Sequence, residues 1–127
     1  MKKQVLLLFI GLLVSNITFA DDNPRLTRCM EVSGGTTIGM IECYGEETNY
    51  QNKLLNEFYQ KVKRAITPER QQALRDTQRI WIKWRDVNCS FYYDPDGGSM
   101  ARVMASRCVM QITTDRVKEL EMFEGLY

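Results

Sequence analysis

The chain contains no histidine, and this absence removes several kinds of active site. Imidazole is the usual acid and base near neutral pH, the base of serine and cysteine triads, and a common zinc ligand. Proline is scarce, with three residues in 127, and no segment alternates apolar and polar residues as a β-strand does. The sequence therefore predicts an all-helical protein with no catalytic, metal-binding or cofactor-binding residues.

Long hydrophobic runs are also missing after the first 20 residues. The apolar run from Val5 to Val14 is too short to cross the ~30 Å hydrocarbon layer of a membrane. It follows Lys2 and Lys3 and precedes small and polar residues, which is the pattern of a secretory signal peptide. We therefore expect residues 1–20 to be cleaved and residues 21–127 to form a single domain that is periplasmic or secreted.

An excess of charge of either sign is the third feature that the chain lacks. It has 17 Lys and Arg against 16 Asp and Glu, and without Lys2 and Lys3 the remainder carries a net charge of −1. Nucleic-acid-binding proteins normally show a clear basic excess, so this class is disfavoured. A protein partner is predicted instead, while the oligomeric state stays open.

The sequence contains four cysteines. They are Cys29, Cys43, Cys89 and Cys108. In a small secreted domain this number predicts two disulfides, with three possible pairings. On paired helices Cys43 and Cys89 are offset by only ~3 Å, whereas Cys89 and Cys108 are offset by ~7 Å around the next turn. The favoured pairing is therefore Cys43 with Cys89, and Cys29 with Cys108.

Apolar residues recur at steps of three and four along three segments, which predicts three helices. The segments run from Ile38 to Ile66, from Pro68 to Phe91 and from Met100 to Phe123, with Thr37, Thr67 and Ser99 as N-caps. Residues 21–37 contain one proline and two adjacent glycines and show little periodicity. The expected fold is all-α: a small antiparallel three-helix bundle with an irregular N-terminal arm, stapled by two disulfides.

The segment QRIWIKWRDVNC, residues 78–89, carries the two tryptophans. Trp81 and Trp84 fall on the apolar face of the second predicted helix, so both are expected in the core. A partly exposed aromatic anchor is the alternative. If Trp84 lies in the core as predicted, Trp84→Ala would lower the free energy of unfolding by ~3 to 5 kcal/mol as a core truncation. Arg85, on the flank of the same face, is expected to reach an acceptor on the first helix, because a buried guanidinium needs a partner.

Acidic residues are expected to gather at one end of the bundle, beside a flexible turn. The set comprises Glu42, Glu46, Glu47, Asp94, Asp96, Gly97, Gly98 and Ser99. Such a tip can attract and orient a basic partner, because complementary charge speeds encounter. A solvated helix face without a partner is the alternative reading of the same residues.

Four segments resemble the LprI-like lysozyme-inhibitor family. They are QNKLLNEFYQKV (51–62), LRDTQRIWIKWRDVNC (74–89), GGS (97–99) and CVMQITTDRVKEL (108–120). The resemblance, together with the apolar face of the second helix, indicates a structural network of Asn56, Tyr59, Gln78, Trp81, Trp84, Arg85, Asp86, Thr113 and Arg116. The chain departs from the family at Gln51 and Asn52, where Ala-Asp is usual, and this change removes one candidate acidic partner for Arg85 or Arg116.

The resemblance implies a protein that inhibits lysozyme or a related peptidoglycan-cleaving enzyme, rather than an enzyme. Such enzymes hold two carboxylates in a cleft, and the animal forms are usually basic, so an acidic inhibitor surface could approach them. The alternative function is a periplasmic accessory, immunity-type or envelope-stress module with no affinity for lysozyme. A hydrolase that uses Asp or Glu is a weaker third option, because the acids are scattered over polar faces.

Overall fold

The computed structural model describes residues 23–127, and within this range the chain forms four helices and no strand. They are α1 (Pro24–Ser33), α2 (Thr37–Ala65), α3 (Pro68–Ser90) and α4 (Gly98–Glu124). The all-α prediction is confirmed, but the predicted number of helices is one too few. The predicted signal peptide lies outside the described residues. Within residues 23–127, no helix has the length and apolarity needed to cross a membrane.

The predicted irregular arm contains α1, so that prediction is wrong. The helix has local start and stop signals: Asn23 Oδ1 accepts a hydrogen bond from the Leu26 N–H at 3.1 Å, and Pro24 is the first helical residue. Gly34 (φ 62°) and Gly35 (φ 69°) then reverse the chain in the left-handed region that favours glycine. None of the ten residues of α1 is fully buried. The helix has fewer than three turns, so it offers too few repeats for periodicity to identify it.

Two of the long helices, α2 and α3, both pack on the third, α4. They make few contacts with each other. Thr67 occupies the N-cap position of α3 and Pro68 opens the helix, as predicted, although the Thr67 side chain makes no capping hydrogen bond. The N-caps of α2 and α4 are Thr36 and Gly97 rather than the predicted Thr37 and Ser99. The buried apolar core lies at the end where α2 turns into α3. Its main cluster consists of Leu55, Val62, Leu74, Val117 and Leu120. Each such side chain contributes about 1.5 to 3 kcal/mol when it leaves water, so this end stabilises the bundle.

The disulfides join Cys29 to Cys43 and Cys89 to Cys108, with Cα–Cα distances of 5.6 and 5.5 Å. The favoured pairing from the sequence is therefore wrong. Because α1 folds back along α2, Cys29 comes beside Cys43. Cys89 lies at the end of α3, whereas Cys108 lies ten residues, or about 15 Å, after the start of α4. The connecting residues 91–97 therefore extend about 15 Å beyond the end of α3, alongside the first turns of α4. A compact turn would leave Cys89 and Cys108 offset along the helices, whereas this extended connection brings them level.

Candidate protein-binding surface

Part of the predicted structural network, around Arg85 and Arg116, lies between α3 and α4. Asn56 and Tyr59, predicted for the same network, lie on α2 and make no side-chain hydrogen bond among residues 23–127. Arg116 Nε donates to Gln78 Oε1 at 3.1 Å, and Arg85 Nη1 donates to Thr113 Oγ1 at 3.3 Å. The two guanidinium carbons lie 5.1 Å (Arg85) and 5.8 Å (Arg116) from the ring centroid of Trp81, within the ~6 Å range of cation–π contacts. These contacts fix α3 on α4, so the residues act mainly in the fold.

The acceptor expected for Arg85 on the first long helix is not used. Arg85 bonds Thr113 on α4, and its Nε donates to Asp86 Oδ1 on its own helix at 2.9 Å. The buried Nη2 of Arg116 has no hydrogen-bond partner within residues 23–127. Asn52 stands on α2 where the family pattern usually has an acid, so neither arginine finds a carboxylate at that position.

Four large apolar side chains lie exposed on the outer face of α3. Ile80, Trp84, Val87 and Phe91 are 70, 53, 63 and 87% exposed, respectively. We call this row the α3 stripe. The prediction that Trp84 lies in the core is wrong. A row of exposed apolar residues that ends in aromatic side chains is typical of a protein-binding surface.

Helical periodicity identifies the apolar residues of the α3 stripe, but it does not indicate whether they face the bundle or the solvent. The face of α3 that packs against the bundle carries Leu74, Gln78 and Cys89, which are all buried. Residues of both faces recur at steps of three and four, and the outer row is the more apolar one. Three contacts with residues distant in the chain determine which face of α3 is buried. They are the Arg116–Gln78 hydrogen bond, the Cys89–Cys108 disulfide and the packing of Leu74 in the apolar core.

The α3 stripe continues into an exposed loop, residues 92–97, which we call the acidic loop. Its backbone is held locally, because the Asp96 N–H donates to Asp94 Oδ1 at 2.9 Å and the Gly97 N–H donates to Asp94 O at 3.1 Å. A Cβ at Gly97 would lie only 2.9 Å from the Cβ of Ala101, so the loop closes tightly on α4. Asp94 and Asp96 are therefore exposed residues of a constrained turn, in which one carboxylate oxygen of Asp94 accepts a backbone hydrogen bond.

Glu47, one of the residues of the predicted acidic tip, is buried. Glu47 is 1% exposed and accepts hydrogen bonds from Arg25 Nε at 2.8 Å and Arg25 Nη2 at 3.0 Å. Gln51 Nε2 donates to the same carboxylate at 2.7 Å. Burial alone would raise the pKa of Glu47, but hydrogen bonds from Arg25, Gln51 and Asn23 outweigh it and lower the pKa. Glu47 therefore attaches α1 to α2 and is not available to a partner.

The other acids of the predicted tip remain exposed. Glu42 and Glu46 lie on α2 in a groove of about 450 Å³ that Arg25 and Arg28 also line, so nearby positive charge offsets theirs. Asp94 and Asp96 stand on the acidic loop, whereas Gly97, Gly98 and Ser99 form its junction with α4. As surface charge for a partner, the loop is the stronger part of the predicted set.

Comparisons with known proteins place the chain in a family. The family model described as "Lysozyme inhibitor LprI" matches residues 29–120, which include all four cysteines and the whole of α3. An uncharacterized protein of Rhizobium meliloti (strain 1021) is 37% identical over 51 residues, and the match spans 39% of this chain and 37% of that protein. No solved structure matches the chain. Because the family match covers well over half of its length, the chain belongs to the LprI lysozyme-inhibitor family.

Proposed function

We propose that the protein is a periplasmic or secreted inhibitor of lysozyme or of a related peptidoglycan-cleaving enzyme, exported by a signal peptide in residues 1–20. The observation that carries this proposal is the family match over residues 29–120. Two disulfides support it, since they are typical of proteins in oxidising compartments.

The α3 stripe and the acidic loop together form the proposed docking surface. Trp84, Phe91 and Tyr92 offer large, exposed aromatic side chains of the kind that dominate protein interfaces. The Cys89–Cys108 disulfide holds the base of the loop, so little conformational entropy is lost when the loop binds. A surface that is apolar and already rigid suits a tight, inhibitory contact.

Electrostatics suggest how this surface meets the enzyme. Lysozyme-type enzymes carry two carboxylates in the cleft, which would repel the charges of Asp94 and Asp96. The two acids therefore contact basic residues on the rim of the cleft, and the uncharged rings of Tyr92 and Tyr93 face its entrance. Rim contacts of this kind orient the inhibitor, whereas the buried aromatic contacts supply most of the affinity.

A turbidity assay with bacterial cell walls tests the proposal. The oxidised protein without residues 1–20 is titrated against lysozymes of the c, g and i types, with a reduced and alkylated sample as control. We expect dose-dependent inhibition of at least one type that disappears on reduction. No inhibition of any type by a protein with an intact helical circular dichroism spectrum would contradict the proposal and favour the accessory, immunity-type or envelope-stress alternative.

Paired variants locate the surface. Asp94→Lys with Asp96→Lys, and separately Trp84→Ala, should each weaken inhibition at least about ten-fold, the loss of roughly 1.4 kcal/mol. Glu121→Lys with Glu124→Lys makes the same charge change at exposed positions near the far end of α4 and serves as the matched control. Equal inhibition by the loop variant and the control would reject the acidic loop as the contact.

A further inference from the structure

A separate groove of about 440 Å³ opens between α2 and α3. Its volume falls within the ~300–1,000 Å³ typical of small-molecule sites. The groove exists because the two helices pack mainly on α4 rather than on each other. The residues that give it its chemistry are Asn52, Asn56, Tyr59, Gln60, Gln78 and Trp81. The first four lie on α2, whereas Gln78 and Trp81 lie on a different face of α3 from the α3 stripe.

Amide side chains dominate the polar lining of this groove. Four amides line it, and the hydrogen bonds among residues 23–127 use only one of their atoms, Gln78 Oε1, which accepts from Arg116 Nε. Asn56 and Gln60 are exposed, and Asn52 is half-buried. Each free amide offers two N–H donors and a carbonyl acceptor side by side. The groove therefore presents unused, paired donors and acceptors to a ligand.

The groove is close to neutral, which excludes a strongly charged ligand as its best occupant. No Asp, Glu or Lys lines it, and its one cation is Arg85. The charge of Arg85 is offset by Asp86, whose Oδ1 lies 2.8 Å from Arg85 Nη2. Two rings, those of Tyr59 and Trp81, supply flat apolar surface beside the amides.

A neutral ligand that combines paired polar groups with flat C–H faces fits this lining. Vicinal hydroxyls and an acetamido group each present a donor beside an acceptor, as a side-chain amide does, and a pyranose ring can stack its C–H face on an aromatic ring. The groove runs along two antiparallel helices, so it suits a chain of sugars. We infer that the groove between α2 and α3 binds a neutral glycan of N-acetylated hexosamines.

Glycan binding at this groove is independent of enzyme inhibition, because it uses different residues and needs no second protein. A protein held on a glycan in this way would lie beside the bonds that lysozyme cleaves. The same chemistry occurs in soluble sugar oligomers and in cell-wall strands, so the test needs both.

The probe is the tetramer of β-1,4-linked N-acetylglucosamine, added to the ¹⁵N-labelled, oxidised protein without lysozyme. We expect amide shifts at groove residues and a shift of Trp81 fluorescence, read in Trp84→Phe so that Trp81 is the one remaining tryptophan. The glucose tetramer, which lacks acetamido groups, should bind more weakly. Absence of shifts, shifts confined to other residues, or equal binding of the two tetramers would overturn the inference.

Matched variants test whether the amides of the groove bind the glycan, rather than exposed amides in general. Asn56→Ala with Gln60→Ala should weaken binding at least about ten-fold, because both amides lose their hydrogen bonds to the ligand. Gln72→Ala removes an exposed amide elsewhere on α3 and should leave binding unchanged. Unchanged binding of the double variant would overturn the groove assignment. Co-sedimentation with purified cell walls would support a wall strand as the source, and tetramer binding without co-sedimentation would support a soluble fragment.

Discussion

Two tryptophans three residues apart on α3 differ in environment because one faces the bundle and the other faces solvent. Trp81 packs against the buried core and lies within cation–π distance of two guanidiniums, whereas Trp84 is more than half exposed. Trp81→Ala should lower the free energy of unfolding by about 2 to 4 kcal/mol, but Trp84→Ala should change it by less than about 0.5 kcal/mol. Urea denaturation followed by circular dichroism compares the two, and equal losses would contradict these environments.

Glu47 makes the fold sensitive to acid. Because its pKa is lowered in the folded state, its contribution to stability is present above the unfolded pKa of about 4.3 and is lost as pH falls through the folded value. Glu47→Gln should cost about 1 to 3 kcal/mol at neutral pH and should flatten the decline below about pH 5. Urea midpoints between neutral pH and about pH 3 measure this. The exposed control Glu121→Gln should follow the wild type, and parallel curves for all three proteins would refute the prediction.

At the scale of elements, α1 is the least anchored helix. It buries no side chain fully and is held by the Cys29–Cys43 disulfide and by the ion pair between Arg25 and Glu47. Segments with few buried apolar contacts open at low free energy. The Cys29–Cys43 disulfide therefore holds α1 against α2, whereas buried apolar side chains hold the other helices together.

Replacing Cys29 and Cys43 by serine should free α1 selectively. Backbone amides of α1 should exchange with deuterium much faster, while those near the middle of α2 and α4 stay protected. The matched control, serine at Cys89 and Cys108, should loosen the acidic loop and lower global stability by about 3 kcal/mol, yet leave α1 protected. Hydrogen exchange read by mass spectrometry distinguishes the two variants, and equal protection of α1 in both would contradict the assignment.

For the whole molecule, a net charge of −1 without residues 1–20 provides little long-range attraction. Steering must then come from local charge, chiefly Asp94 and Asp96. If lysozyme is the partner, raising the salt from about 0.05 to 0.5 M should slow association several-fold and leave dissociation nearly unchanged. Asp94→Asn with Asp96→Asn should remove most of this salt dependence. Stopped-flow association rates provide the measurement, and an unaltered salt dependence in the double variant would disprove local steering.

The helices themselves could be predicted wherever the signals were local. Thr67 and Pro68 begin α3, and spaced apolar residues extend α2, because caps and periodicity depend only on neighbours within a few residues. The same chemistry at Asn23, Pro24 and Gly34 marks α1, and these signals could have identified it. Periodicity does not reveal this helix, because its ten residues are fewer than three turns and give too few repeats.

Local patterns in the sequence were enough to predict an all-α domain, three of the four helices within residues 23–127, and four cysteines suited to disulfides. Long-range packing sets three other features: Trp84 faces solvent, Glu47 is buried, and Cys89 bonds Cys108. Each of these outcomes depends on the path of a connection or on which face of a helix meets α4. Such choices are set by contacts between residues far apart in the chain, and helical spacing is the same whichever face is covered.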